Sequence, residues 1–135
     1  MRIYDADGTR VFIEHHQIVD TMALVSGSQT VREVLHAMAK ARAGASVIVD
    51  DAGRLEGIFT HGDFGRHFQT HADLLEKAVG EFMTRQPITI RGDKLAVEVL
   101  HILERHRIDD LVVLDEGDRP IGVVDSQDLA RFKLV

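Results

Sequence analysis

The chain repeats itself. Residues 27–67 align without a gap on residues 92–132, an offset of 65. Val34-Leu35-His36 matches Val99-Leu100-His101, and Val47, Asp50 and Arg54 match Val112, Asp115 and Arg119. Gly57, Asp63 and Arg66 match Gly122, Asp128 and Arg131. Such a duplication describes two copies of one supersecondary unit, each of which needs a packed neighbour to bury its apolar face. With 135 residues and 44% hydrophobic content, the chain has room for two small halves with a filled core.

Each copy reads strand, helix, strand, strand, helix. In the first, Thr30 and Glu33 stand at capping-box spacing, and Val31, Val34, Leu35, Met38 and Ala39 form one apolar helical stripe. The helix is expected to fade at Gly44. Residues 46–49 read as a strand, 50–53 as a turn, and 55–59 as the return strand, with Thr60 capping the next helix. In the second, Ala96, Val99, Leu100 and Leu103 repeat the stripe, and residues 111–114 and 121–124 repeat the strands. Upstream the copies differ: Met22 corresponds to Met83, and the second copy then carries four residues more. Residues 2–4 and 9–13 flank Asp5-Ala6-Asp7-Gly8 and read as a hairpin. The expected division is 1–17 hairpin and link, 18–68 first repeat, 69–80 connector and 81–135 second repeat. The connector has a short helical pattern ending at Gly80 and no Pro/Gly/Ser-rich tract, so the halves should pack together.

A net charge of −6 argues against a nucleic-acid backbone as partner. The chain has no cysteine, which removes disulfide and thiolate chemistry, and no apolar run approaches the ~20 residues of a membrane span. The reading is a cytoplasmic protein with no nucleic-acid or membrane partner. Asp5-Ala6-Asp7-Gly8-Thr9 looks like the nucleophile motif of haloacid-dehalogenase-type phosphatases, in which the first Asp attacks phosphorus beside Mg²⁺. That motif should follow a long buried strand, and only four residues precede it, so a hairpin turn is preferred. His15 and His16 sit in a polar link. His67 and His71 are four apart, but no further ligand spacing supports a metal, so no metal site is expected. His36 and His101 are placed at a helix surface, and His101, Arg105 and Arg107 form a basic patch. Asp109 and Asp110 read as turn residues. No nucleophile–base pair is visible, so no catalytic residue is named.

The stretch Glu81-Phe82-Met83-Thr84-Arg85-Gln86-Pro87-Ile88-Thr89-Ile90 and the two Gly-to-Asp-x-x-Arg segments resemble the CBS domain, a β-α-β-β-α unit that occurs in pairs. The resemblance covers about residues 18–135. It implies an α+β fold of two such repeats related by pseudo-two-fold symmetry, here with the N-terminal hairpin added. More narrowly, residues 57–63 and 105–115 look like the C-terminal CBS pair of bacterial arabinose-5-phosphate isomerases, whose product feeds Kdo synthesis. Only about 17 residues precede the pair, so the isomerase domain is expected to be absent and the chain not to be an enzyme. It is read either as an excised fragment or as a stand-alone CBS protein.

The resemblance also implies a ligand. CBS pairs mostly bind adenosine nucleotides, with a carboxylate on the ribose hydroxyls and a Thr or Ser hydroxyl plus helix N-terminal amides on the phosphate. Carried over, this gives Thr60 for phosphate and Asp63 for ribose in the first copy, with His61 beside them. In the second it gives the entry strand with Thr84, Arg85 and Ile88, then Ser126 and Asp128. Asp125 stands where a phosphate-binding hydroxyl should be, and the first copy lacks part of its entry strand. Thr60, Asp63, Ser126 and Asp128 read equally well as helix caps. The implied function is a regulatory module that senses AMP, ADP, ATP or CMP-Kdo and controls a sugar-isomerase domain in cis or in trans. It would pair as a homodimer through apolar residues on the repeat helices. The rival is a ligand-free oligomerisation module.

Overall fold

In the computed structural model the described residues are 2–4, 10–12, 22–91 and 96–125; of 2–4, 10–12 and part of the third helix only the backbone is described. The chain divides into two units, residues 20–87 and residues 1–19 with 88–135.

The unit of residues 20–87 carries the first repeat. Its order is β3 (Ala23–Ser26), α1 (Val31–Ala41), β4 (Ala45–Val49), β5 (Leu55–Thr60) and α2 (His61–Phe68). The capping box at Thr30 and Glu33 forms, and the stripe places Val31, Val34 and Met38 in the core. The helix stops two residues before Gly44 because Arg42 turns left-handed at φ 55° and its N–H reaches back to the Ala39 and Met38 carbonyls. β3 and β4 are parallel, as a strand–helix–strand crossover requires, and β4 and β5 are an antiparallel pair. The core joins Met38, Ile48, Phe59 and Leu74, each worth about 1.5–3 kcal/mol of buried apolar surface.

The connector is stitched to this unit. It forms two 3₁₀ turns, Leu74–Glu76 and Val79–Glu81, where a short helix was expected. Leu74 and Val79 are fully buried. Val31 N–H donates to Lys77 O (2.9 Å), and Val79 and Gly80 N–H donate to Gln29 O (2.8 Å) and Gly27 O (2.9 Å).

The other unit repeats the pattern. It contains the hairpin β1 (Arg2–Tyr4) and β2 (Arg10–Phe12), then β7 (Thr89–Arg91), α3 (Ala96–His106), β8 (Asp110–Leu114) and β9 (Pro120–Asp125). β1 and β2 pair antiparallel from Arg2–Phe12 to Tyr4–Arg10; the Asp5–Thr9 motif between them lies outside the described residues, as do His15 and His16. The duplication extends to backbone detail. Ala45 pairs with Thr60 and Asp110 with Asp125, and the register shifts after Ile48 and after Val113. Left-handed residues recur at Arg42 and Arg107, and at Gly53 and Asp118. Asp50 and Asp115 each accept two backbone N–H groups to close the turn between strands.

One expectation is corrected. Residues 84–90 are not a single entry strand. Thr84–Arg85 is β6, the antiparallel edge strand beside β5 in the four-stranded sheet β3-β4-β5-β6, whereas β7 joins the three-stranded sheet β7-β8-β9. Gln86 takes φ 53°, and Pro87 cannot donate to a ladder, so the extended chain breaks between them. The four additional residues of the second copy are therefore the stretch that supplies β6 to the first copy's sheet.

Candidate functional site

The candidate site lies at the junction of β5 and α2. Thr60 ends β5 extended, at φ −112° and ψ 169°, and its Oγ1 accepts from Asp63 N–H (3.1 Å). Asp63 Oδ2 accepts in return from Thr60 N–H (3.0 Å). This reciprocal box fixes the helix start. His61 N–H donates to Gly44 O (3.2 Å), which ties the loop before β4 to the same corner. The amides of His61 and Asp63 are thus taken within the protein. The helix start offers an incoming anion the Gly62 amide and the Thr60 hydroxyl proton.

Asp63 is 6% exposed, one of two buried polar side chains among the described residues. Its Oδ1 accepts from the Arg66 guanidinium and from the Thr84 hydroxyl (3.4 Å). Three donors on two carboxylate oxygens leave little unfilled capacity. The other buried polar residue, Ser46, is satisfied by donating to Phe59 O (2.9 Å).

Of the residues picked from the sequence, the structure brings Thr60, His61, Asp63, Thr84 and Arg85 into one unit, with His61, Thr84 and Arg85 exposed. Thr84 is a neighbour of Asp63, although the sequence groups it with the second copy and Asp128. Arg85 donates to Gly80 O (3.3 Å). Ile88 is exposed in the other unit, and Ser126 and Asp128 lie outside the described residues. The Asp63–Thr84 contact could have been sought from the four-residue difference after Met22 and Met83. Nothing in the spacing says which sheet those residues join.

The two corners differ in charge. Asp125 ends β9 directly opposite Asp110, in the register where Thr60 stands opposite Ala45. Asp109 occupies the place of Gly44. The second corner thus holds three carboxylates, Asp109, Asp110 and Asp125, at positions where the first holds Gly44, Ala45 and Thr60.

His67 and His71 gather on one aromatic ring. His67 and His71 both meet the edge of Phe82, with ring centroids 5.1 and 4.9 Å away, and His71 Nδ1 lies 2.9 Å from Thr70 Oγ1 and 3.1 Å from His67 O. Among the described residues no three His, Cys, Asp or Glu side chains converge to hold a metal, and no helix is long and apolar enough to cross a membrane.

A duplicated strand–helix–strand–strand pattern, with a hydroxyl–carboxylate box after the third strand of the first copy, defines a known class. The CBS domain model matches residues 17–68 and 79–134, and the chain belongs to the CBS domain family. Its relatives include arabinose 5-phosphate isomerase KdsD of Pseudomonas aeruginosa, 40% identical over 88 residues, 65% of this chain and 27% of that enzyme. KdsD of Yersinia pestis is 37% identical over 111 residues, 82% of this chain and 34% of that enzyme. The chain thus spans about a third, or less, of the curated relatives it matches. Among solved structures, the CBS domain pair of protein MJ0100, in complex with 5′-methylthioadenosine and S-adenosyl-L-methionine, is 25% identical with a TM-score of 0.76 over 87% of this chain and 95% of that one.

Proposed function

We propose that this chain is a regulatory ligand-binding module that senses an adenosine nucleotide (AMP, ADP or ATP) or the nucleotide-sugar CMP-Kdo and passes that state to a sugar-phosphate isomerase domain in cis or in trans. The carrying observation is the cluster of Thr60, Asp63 and Thr84 at the start of α2. Thr60 donates its hydroxyl proton to a phosphate oxygen beside the Gly62 amide. A ribose diol reaches Asp63 by displacing the Thr84 hydroxyl, the longest of its contacts at 3.4 Å. The adenosyl ligands of MJ0100 and the isomerase activity of the KdsD relatives support this reading. The working units are the repeats 18–68 and 81–135 with their connector 69–80, acting in the cytoplasm as a self-associating, non-catalytic protein. The second corner, through Ser126 and Asp128, is the weaker site because Asp125 stands where Thr60 supplies its hydroxyl in the first.

A ligand-free oligomerisation module is the competing reading, favoured by the near-saturation of Asp63. Isothermal titration separates them. The wild type should bind one nucleotide class, and Asp63→Ala with Asp128→Ala should abolish binding while self-association persists. Because Asp63→Ala also removes a cap worth about 0.5–2 kcal/mol, Asp63→Asn is the control. It keeps one oxygen for the Thr60 N–H, loses the charge and the Arg66 pair, and should bind more weakly, with its unfolding measured alongside to separate folding from binding. A wild type that binds none of these ligands contradicts the sensing reading.

A further inference from the structure

The strand that brings Thr84 to Asp63 is held by α2 from both ends of the helix. At its start, Thr84 Oγ1 donates to Asp63 Oδ1 (3.4 Å). At its far end, the His67 and His71 rings lie against Phe82. Met83, between Phe82 and Thr84, is buried against Gly57. The chain is thus packed in place as far as Met83. β6 is held more lightly. Thr84 and Arg85 are both exposed, and they pair with β5 over two positions, Gly57–Arg85 and Ile58–Thr84. A short edge strand with little buried surface lies at the low end of local stability. Directly after it Gln86 is left-handed, and residue 88 belongs to the other unit.

The Asp63 carboxylate decides what can join it. A carboxylate offers about four acceptor positions. Arg66 and Thr84 donate to Oδ1, and Thr60 N–H takes one position on Oδ2. One added hydroxyl finds room on Oδ2. A vicinal diol brings two donors and needs a place already taken. Thr60 N–H is locked in the cap, and Arg66 brings a charge to its bond. Thr84 is the neutral donor on Oδ1 and the most distant, so it is the one to yield.

We propose that Thr84 is a latch and a specificity-determining residue. Its hydroxyl occupies the carboxylate position that a vicinal diol requires, and a nucleotide with an intact ribose displaces it and frees β6. The unpaired link to β7 then lengthens from residues 86–88 to residues 84–88. Met83, buried against Gly57, stops the release there. A 2′-deoxynucleotide, with one hydroxyl to offer, binds without opening the strand. The inference rests on the nucleotide reading above and gives that site a way to report its occupancy to the following unit.

The test pairs hydrogen exchange over residues 83–88 with isothermal titration of the whole chain. The probes are AMP and CMP, each beside its 2′-deoxy counterpart. Thr84→Val keeps a β-branched side chain on the strand and loses the hydroxyl; Thr84→Ser restores it. Without ligand, Thr84→Val should speed exchange over 83–88 by about threefold or more, and Thr84→Ser should stay close to wild type. A saturating ribonucleotide should produce the same rise in the wild type, and its deoxy counterpart should not. Thr84→Val should also bind the ribonucleotide at least about threefold tighter, because no latch has to open first, and should bind the deoxynucleotide with unchanged affinity. A ribonucleotide that binds wild type and Thr84→Val equally, and leaves or slows exchange over 83–88, overturns the latch and keeps the nucleotide reading. If no nucleotide binds either protein, the nucleotide reading falls and the displacement of Thr84 falls with it.

Discussion

Gly57 is buried where β5 meets β6, and a Cβ there would stand 2.6 Å from Thr84 O and 2.9 Å from Met83 Sδ. A backbone carbonyl cannot swing aside as a side-chain tip can. Gly57→Ala should therefore cost about 1–3 kcal/mol, read by urea unfolding, and should loosen the strand that brings Thr84 to Asp63. That close approach is the physical reason for glycine at position 57, which the sequence shows only as a repeated letter. Asp115 makes a second prediction. The Arg119 backbone N–H holds its carboxyl below the ordinary carboxylate range, helped by the Gly117 N–H and the charges of Arg119 and Arg91, against partial desolvation. A depressed folded pKa contributes stability above the unfolded value of about 3.9 and loses it as pH falls through the lower folded value. Stability measured against pH should fall less steeply below about pH 4 in Asp115→Asn.

α1 shows how far an element can be read from its residues and where that stops. The Thr30–Glu33 box and the Val31, Val34, Met38 stripe were plain in the sequence because capping and burial are local. Its end was placed at Gly44, the residue best suited to a left-handed cap, yet the chain turns at Arg42. The Met38 and Ala39 carbonyls are met by the N–H groups of residues 42 and 43, and that geometry outweighs the preference for glycine. A non-glycine residue in this region costs about 1–2 kcal/mol, so Arg42→Gly should raise stability by up to about 1 kcal/mol in chemical denaturation. β6 was the element least legible from sequence. Two residues long, it has no periodicity of its own, and only its pairing with Gly57 and Ile58 defines it.

At the scale of the molecule, the duplication was the most legible feature, because a fixed offset of 65 residues survives in pattern even where identities do not. Its structural counterparts are matched registers, bulges, turns and left-handed residues. The site was legible only in part. Thr60 and Asp63 stand out as a box after a strand, whereas Thr84 is brought to them by a strand that leaves its own repeat. The electrostatic difference between the corners follows from Thr60 and Gly44 facing Asp125 and Asp109 at matched positions. The tighter binding is therefore expected at the first corner. The measurement that tests it most directly is a thermal-shift series of the purified chain against AMP, ADP, ATP, CMP and CMP-Kdo. A ligand at a hundred times its Kd stabilises the folded state by roughly 2.7 kcal/mol, a displacement of several degrees for a domain of this size. The account predicts that shift for one nucleotide class, reduced in Asp63→Asn. Unchanged melting with every ligand would contradict it.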